Sequence, residues 1–184
     1  MNWKDKISPN IQAIPPSGIR KFFDIVKTMP NAISLGVGEP DFITPWHIRD
    51  SAIESIRNGE TAYTSNAGTP ELRSAIAAYM KARFDLDYDP AKEMFVTVGA
   101  SEAIDLALRA VINPGDEVIA VRNAHVSFIN SCILLGITPH WVFPKYSDTA
   151  GVSGTVEPSQ IAEAVSAFPH AKAVYLTSPD YLGR

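Results

Sequence analysis

The chain has one cysteine and no concentration of charge of one sign. Cys132 is the only cysteine among 184 residues, which excludes an intramolecular disulfide and favours a reducing, cytoplasmic compartment. The net charge is −4 and basic residues form no block, so neither nucleic acid nor an anionic membrane surface is indicated as a partner. No apolar run approaches the ~18 residues of a membrane span, and the polar start does not resemble a signal peptide.

The chain does contain an ordinary apolar fraction of 46% and a regular alternation of strand and helix patterns. Short β-rich runs predict strands over residues 94–98, 117–121, 138–143 and 173–177. Amphipathic runs between and after them predict helices over residues 101–113, 126–135 and 158–168. Strands that alternate with helices are typical of an α/β fold with a mainly parallel sheet.

The segment before the first predicted strand contains two helix-start signals. Thr44-Pro45 and Thr69-Pro70 each place a capping hydroxyl before a proline, which is well suited to the first helical position. Each signal is followed by an apolar stripe at helical spacing. We expect residues 1–45 to form an amino-terminal arm with a small-domain segment, and residues 46–184 to form part of a larger domain.

Four short segments give the most information on function, and they follow one another at characteristic spacing. They are the Gly/Pro-rich run 33–45, the run 63–73 with Tyr63, the turn 96–102 and the run 114–119. In this order they resemble the amino-terminal half of class I/II aminotransferases, which are pyridoxal 5'-phosphate enzymes. The resemblance implies an incomplete three-layer α/β/α fold with a mainly parallel sheet, like the large domain of fold-type I enzymes.

The turn Gly99-Ala100-Ser101-Glu102 lies between a predicted strand and a predicted helix. A helix start presents unpaired N–H groups and a partial positive charge, which suit a phosphate. The resemblance implies that Ala100, Ser101 and Glu102 bind the cofactor phosphate through backbone N–H groups and a hydroxyl, with Glu102 acting by its backbone only. The alternative is a plain strand–helix turn with a capping serine.

Three further positions correspond to site residues of the resembled family. His125 falls where an aromatic ring stacks on the pyridine ring of the cofactor, and an imidazole can stack and exchange protons. Tyr63 matches a tyrosine that reaches the phosphate of the neighbouring subunit, which implies a homodimer. Gly38 matches a position beside the amino-acid substrate. The alternatives are a helix-start histidine without a ligand, a tyrosine in a local core and an ordinary turn glycine.

The second part of the chain resembles another branch of the same fold. The string Arg122-Asn123-Ala124-His125-Val126-Ser127-Phe128 and much of residues 135–179 look like ornithine/lysine/arginine decarboxylases. Natural divergence, recombination and engineering each explain such a seam. The parent is therefore expected to be an aminotransferase acting on an amino acid and a 2-oxo acid, with a basic amino-acid decarboxylase as the alternative.

The family's chemistry needs a lysine that forms a Schiff base with the cofactor, and none of the eight lysines stands in that sequence context. We therefore expect no catalytic residue and no turnover in this stretch alone. A chimeric or truncated chain that only associates is the non-enzymatic alternative. By resemblance, strand 94–98 pairs with strands made after residue 184, and a later strand separates 173–177 from 117–121. Such gaps predict marginal stability, a rearranged sheet or association through exposed edges.

No metal site is expected. The histidines His47, His140 and His170 have no ligand spacing. Asp85, Asp87 and Asp89 alternate as the first ligands of a calcium loop do, but the later glycine and glutamate of that loop are missing. A solvated loop is the expected structure there.

Overall fold

The computed structural model describes residues 3–16, 18–33, 42–147, 149, 151–180 and 183. The chain divides into two compact units. Unit 1 contains Met1–Pro15 and Thr97–Arg184, and unit 2 contains Pro16–Val96. The domain boundary predicted at residue 45 stays a prediction. None of the helices in the described part of the chain has both the length and the apolar character that a bilayer crossing needs.

Within the described residues, unit 1 contains helices and strands, whereas unit 2 contains helices only. A 3₁₀ helix at Trp3–Lys6 precedes the helices α1 (Pro9–Gln12), α2 (Ile19–Lys27), α3 (Trp46–Arg57) and α4 (Pro70–Phe84). The remaining helices are α5 (Ala100–Val111), α6 (Val126–Leu135) and α7 (Pro158–Ala167). The strands are β1 (Glu117–Val121), β2 (Thr138–Val142), β3 (Tyr146–Ser147), β4 (Val152–Ser153) and β5 (Ala173–Tyr175).

The main sheet has three parallel strands in the order β2-β1-β5. Ile119 pairs with His140 on one side and with Val174 on the other. The α/β fold and its parallel sheet are therefore confirmed. The prediction that another strand separates 117–121 from 173–177 in the sheet is wrong, because β1 and β5 pair directly. Their register is extended by a hydrogen bond of 2.8 Å from the Lys172 N–H to the Glu117 carbonyl.

Helices cover both faces of this sheet, which gives unit 1 its three layers. Val118 and Ala120 face the α5–α6 layer, where they join Phe128 and Cys132 in the core cluster. Ile119 and Val121 point to the opposite face, as alternation along a strand requires. On that second face the His140 ring stacks on Phe168, directly after α7, with ring centroids 3.6 Å apart. All four β1 side chains from Val118 to Val121 are buried, as in a strand enclosed by two layers.

The predicted strand at 94–98 does not form. Within the described residues no strand lies beside this run, and its N–H at Val96 bonds to the Ala67 carbonyl at 3.0 Å instead. Val98 is 97% exposed. A β-rich sequence needs a neighbouring strand to satisfy its backbone groups, so the run stays extended without becoming a strand.

The two helix-start signals in unit 2 have different outcomes. Thr69 is the N-cap of α4, and its hydroxyl accepts a hydrogen bond of 3.3 Å from the Leu72 N–H, as predicted. At the earlier signal Pro45 is the N-cap and Trp46 the first helical residue, one position later than predicted. The apolar stripes of both helices remain largely exposed in unit 2, with Ile56 at 67% and Tyr79 at 59%.

Candidate functional site

The start of α5 is an open turn at the edge of unit 1. Gly99 is the N-cap, in an extended conformation, and residues 99–102 are all exposed. The first intrahelical bond runs from the Ala103 N–H to the Gly99 carbonyl at 3.2 Å. The N–H groups of Ala100, Ser101 and Glu102 precede that bond, so they belong to the donors that a helix leaves without an internal acceptor. Packing does not seal this turn.

The Glu102 side chain is tied back to the loop before the helix. Its Oε2 accepts a hydrogen bond of 2.8 Å from the Val98 N–H. A carboxylate in the first turn interacts favourably with the helix dipole, and here it also fixes the approach of residues 97–99. The Thr97 hydroxyl adds a bond of 2.9 Å to the Gly99 carbonyl. The shape of the turn is therefore held by its own side chains.

A second helix start lies next to the first. His125 is the N-cap of α6, and its Nδ1 accepts a hydrogen bond of 3.1 Å from the Ser127 N–H. The Ser127 hydroxyl lies 2.6 Å from the same Nδ1 and 2.7 Å from the Ser101 hydroxyl. The fold thus joins Ser101 and His125, which the sequence predicts as site residues, through a third side chain that it does not single out.

Ser127 is the functional candidate that the sequence analysis missed. It lies in the run 122–128, but a serine in the first turn of a helix is common and does not by itself indicate a functional role. Its burial, with only 9% of the residue exposed, and its contact with a residue 26 positions earlier appear only in three dimensions. Nothing local in the sequence distinguishes it.

A cleft of about 420 Å³ opens at the carboxyl ends of β1 and β5. Asn123, Thr177 and Asp180 supply polar groups to a lining that is otherwise mainly apolar. Among the described residues, Oδ1 of Asn123 and Oγ1 of Thr177 are buried and have no hydrogen-bond partner. Ligands of open α/β sheets bind at this end of the strands. The cleft therefore has the position and the unsatisfied polar atoms of a binding region.

The other predicted site residues are Tyr63 and Gly38. Tyr63 belongs to unit 2, where its side chain is fully exposed, so the alternative of a tyrosine in a local core is wrong. Gly38 and most of the Gly/Pro-rich run lie outside the described residues.

The residues set aside as metal ligands have structural roles. Asp85 and Asp87 pair with Lys81 at 2.8 and 2.9 Å. Their hydrogen bonds raise the pKa of the Lys81 ammonium, and the bond with Asp85 has the larger effect. Asp89 accepts a hydrogen bond from the Ala91 N–H at 2.8 Å. Over the described ranges, no group of three or more His, Cys, Asp or Glu is placed to hold a metal ion.

The starts of α5 and α6 lie side by side, joined by the contacts of Ser127 with Ser101 and His125. The sequence model of the family described as aminotransferase class I and II matches residues 30–180. The chain belongs to this family, whose members depend on pyridoxal 5'-phosphate.

Individual relatives agree with this assignment. The putative aminotransferase YugH of Bacillus subtilis is 51% identical over 133 residues, which are 72% of this chain and 34% of that protein. The aspartate aminotransferase of Geobacillus stearothermophilus is 33% identical over 178 residues, covering 95% of this chain and 44% of the relative.

Solved structures give the same result. The aspartate aminotransferase from Thermus thermophilus with maleate has a TM-score of 0.81 and 30% identity, covering 95% of this chain and 45% of that one. The N-succinyldiaminopimelate aminotransferase from Mycobacterium tuberculosis has a TM-score of 0.83 and 26% identity, covering 95% and 44%. The predicted fold-type I architecture is confirmed.

These matches also bear on the seam in the sequence. The similarity to aminotransferases extends through residues 121–180 as well as through the first part. The decarboxylase resemblance and the decarboxylase alternative receive no support from these relatives. The chain spans between about a third and a half of the length of the relatives it matches.

Proposed function

We propose that this chain forms the amino-terminal part of an aminotransferase that moves an amino group between an amino acid and a 2-oxo acid. The observation that carries the proposal is the exposed start of α5, joined by hydrogen bonds to the histidine that caps α6. The family membership supplies the reaction class, and the site supplies a reason why these residues suit the cofactor.

The phosphate of pyridoxal 5'-phosphate binds at the start of α5. Ala100, Ser101 and Glu102 are exposed residues, and their N–H groups have the partial positive charge of a helix start. A Cβ added at Gly99 meets no atom within 4 Å, so a bulky anion has room beside the turn. The residues present therefore fit the group. When bound, the cofactor supplies an electron sink for the bonds of the amino-acid substrate.

His125 holds the ring of the cofactor by stacking. Its side chain is exposed, while two contacts with Ser127 anchor the Nδ1 edge of the imidazole. An imidazole held by one edge keeps a flat face available for a second ring. The hydrogen bonds that link His125 to Ser101 through Ser127 bring the stacking ring and the phosphate turn into one small region.

The remaining parts of the proposal come from the family. Tyr63 reaches the cofactor phosphate of a second copy in a homodimer, a role for which its full exposure leaves the side chain available. Gly38 lies beside the substrate. The protein works in the cytoplasm, in line with its single thiol. The lysine that anchors the cofactor is not among the eight lysines of this stretch, so these 184 residues alone have no turnover.

Binding of two vitamers tests the phosphate assignment. Pyridoxine 5'-phosphate lacks the aldehyde that reacts with surface lysines, and pyridoxine lacks the phosphate. We expect the phosphate ester to bind this chain at least tenfold more tightly and to raise its melting temperature. Replacing Ala100 by proline removes one N–H at a position where proline suits a helix. This change is expected to weaken the ester by roughly tenfold, the value of a hydrogen bond to a charged group, and to leave pyridoxine unaffected.

Equal affinities for pyridoxine and its phosphate ester contradict the phosphate site. Transaminase turnover by the isolated chain with pyridoxal 5'-phosphate contradicts the claim that it is inactive. A melting curve that does not respond to the phosphate ester favours the alternative of a chain that only associates.

A further inference from the structure

The Ser127 hydroxyl lies between two groups that the proposed function assigns to different parts of the cofactor. One neighbour is the Ser101 hydroxyl, 2.7 Å away, in the phosphate turn. The other is Nδ1 of His125, 2.6 Å away, in the stacking ring. Both distances are those of well-formed hydrogen bonds that involve hydroxyls. Ser127 is itself buried, so water does not compete strongly for either contact.

The direction of this hydrogen-bond chain follows from one obligatory donor. The Ser127 backbone N–H donates to Nδ1 of His125 at 3.1 Å, and a backbone N–H has no acceptor capacity. Nδ1 is therefore the acceptor, and in the neutral ring the hydrogen is on Nε2. The Ser127 hydroxyl then also donates to Nδ1, whose single lone pair is shared between the two donors. Its oxygen accepts from the Ser101 hydroxyl, which has only one hydrogen to give.

We propose that Ser127 is a positioning residue that fixes the tautomer and the orientation of His125 through the chain Ser101 hydroxyl to Ser127 hydroxyl to Nδ1. Its role in cofactor binding rests on the proposed function. In this arrangement the Ser101 hydroxyl hydrogen points inward to Ser127. The phosphate is held by the N–H groups of residues 100–102, whereas the Ser101 hydroxyl, which the resemblance assigns to the phosphate, supports the ring instead.

The tautomer of His125 is the direct readout, and it needs no bound cofactor. ¹⁵N NMR of the imidazole is expected to show the Nε2–H form in the wild-type chain. Ser127→Ala retains the backbone N–H but removes the hydroxyl, and should change the ratio of the two tautomers by roughly fivefold, the value of a typical hydrogen bond. Ser101→Ala should change it in the same direction by a smaller factor. The double variant should match Ser127→Ala alone, because both changes interrupt one chain.

Ser131→Ala is the matched control. Ser131 is also a buried serine of α6, one turn further along, and it is 4% exposed. This variant should leave the His125 signals unchanged. If Ser127→Ala leaves the tautomer ratio as in wild type, or if Ser131→Ala changes it equally, the positioning role is wrong.

Two ligands separate ring support from phosphate support. Inorganic phosphate should bind Ser127→Ala and Ser101→Ala within twofold of wild type. Pyridoxine 5'-phosphate should bind both variants more weakly, by roughly fivefold for Ser127→Ala. A loss of inorganic phosphate affinity in Ser101→Ala as large as the loss for the ester overturns the inward direction of its hydroxyl. Absence of any saturable binding to wild type contradicts the proposed function instead, and the NMR result still decides the role of Ser127.

Discussion

Cys132 shows how burial sets the chemistry of one side chain. It lies in α6 among the apolar residues of unit 1, with 2% of its surface exposed. Burial raises the pKa of its thiol to about 11, because the charged thiolate loses its hydration. The thiol therefore stays protonated near neutral pH, and we expect it to react with disulfide reagents only when the chain unfolds.

The same shift predicts how stability depends on pH. The pKa of Cys132 in the folded state lies above its unfolded value of about 9, so the contribution is complete below pH 9 and is lost as the pH rises towards about 11. Over this pH window, the free energy of unfolding measured with denaturant should fall by up to about 2 kcal/mol more in wild type than in Cys132→Ala. Other groups titrate there too, but they are common to both proteins. Parallel pH profiles contradict the prediction.

Arg73 is a buried charged residue of unit 2. Its guanidinium Nη1 donates to the carbonyls of Pro90 and Ala91 at 2.7 and 3.3 Å, which ties α4 to the segment before residue 94. Arg73→Ala should destabilise unit 2 by about 2 kcal/mol, because it leaves these carbonyls without their charged donor. Arg83→Ala, an exposed change on the same helix, is the control and should cost less than about 0.5 kcal/mol. Faster proteolysis between residues 85 and 96 in Arg73→Ala alone is the measurement.

At the scale of elements, the turn before α4 depends on close packing against the run 94–98. Gly68 has a φ of +90°, and a Cβ added there lies 2.8 Å from Cγ2 of Val96. Gly59 has a similar φ of +77° with nothing within 4 Å. Gly59→Ala therefore measures the backbone cost alone, about 1 kcal/mol. Gly68→Ala adds the overlap and should cost about 1–3 kcal/mol more in unfolding free energy. Equal losses in the two variants rule out the packing argument.

The elements that the sequence predicts correctly are those whose signals are local. β1 and α6 begin and end at the predicted residues, because each is rich in apolar residues and is bounded by turn residues. The run 94–98 has an equally good strand pattern, but its state depends on whether another strand lies beside it. The pairing of β1 with β5 is likewise a choice between distant segments, which no local pattern encodes.

The candidate site divides in the same way. Local signals predict that Ala100, Ser101 and His125 lie at helix starts, where unpaired N–H groups are expected, and their roles at the cofactor stay predictions from the resemblance. The link between them through Ser127 is not predictable, since it depends on how α5 and α6 pack. A family resemblance supplies roles for single positions, whereas the hydrogen-bond chain is a property of the packed pair.

At the scale of the whole molecule, the two units differ in how much apolar surface they bury. Every fully buried apolar side chain among the described residues belongs to unit 1, from Leu108 to Val142. In unit 2 the described buried side chain is that of Arg73, while Ile48, Ile56 and Tyr79 are exposed. Burial of apolar area is the dominant stabilising term of a fold, so the units should differ in local stability.

Hydrogen exchange of two helices tests this difference with secondary structure held constant. α6 packs on the sheet through the side chains of Phe128 and Cys132, whereas α4 keeps most of its apolar stripe exposed. We expect central α4 amides to exchange at least tenfold faster than central α6 amides, which corresponds to about 1.4 kcal/mol in opening free energy. Phe128→Ala should remove much of the difference by opening a cavity under α6. If α4 and α6 are equally protected in the wild-type chain, the expected difference is absent and unit 2 is stabilised by contacts beyond those of its described residues. The exposed stripes of α3 and α4 are then covered in solution.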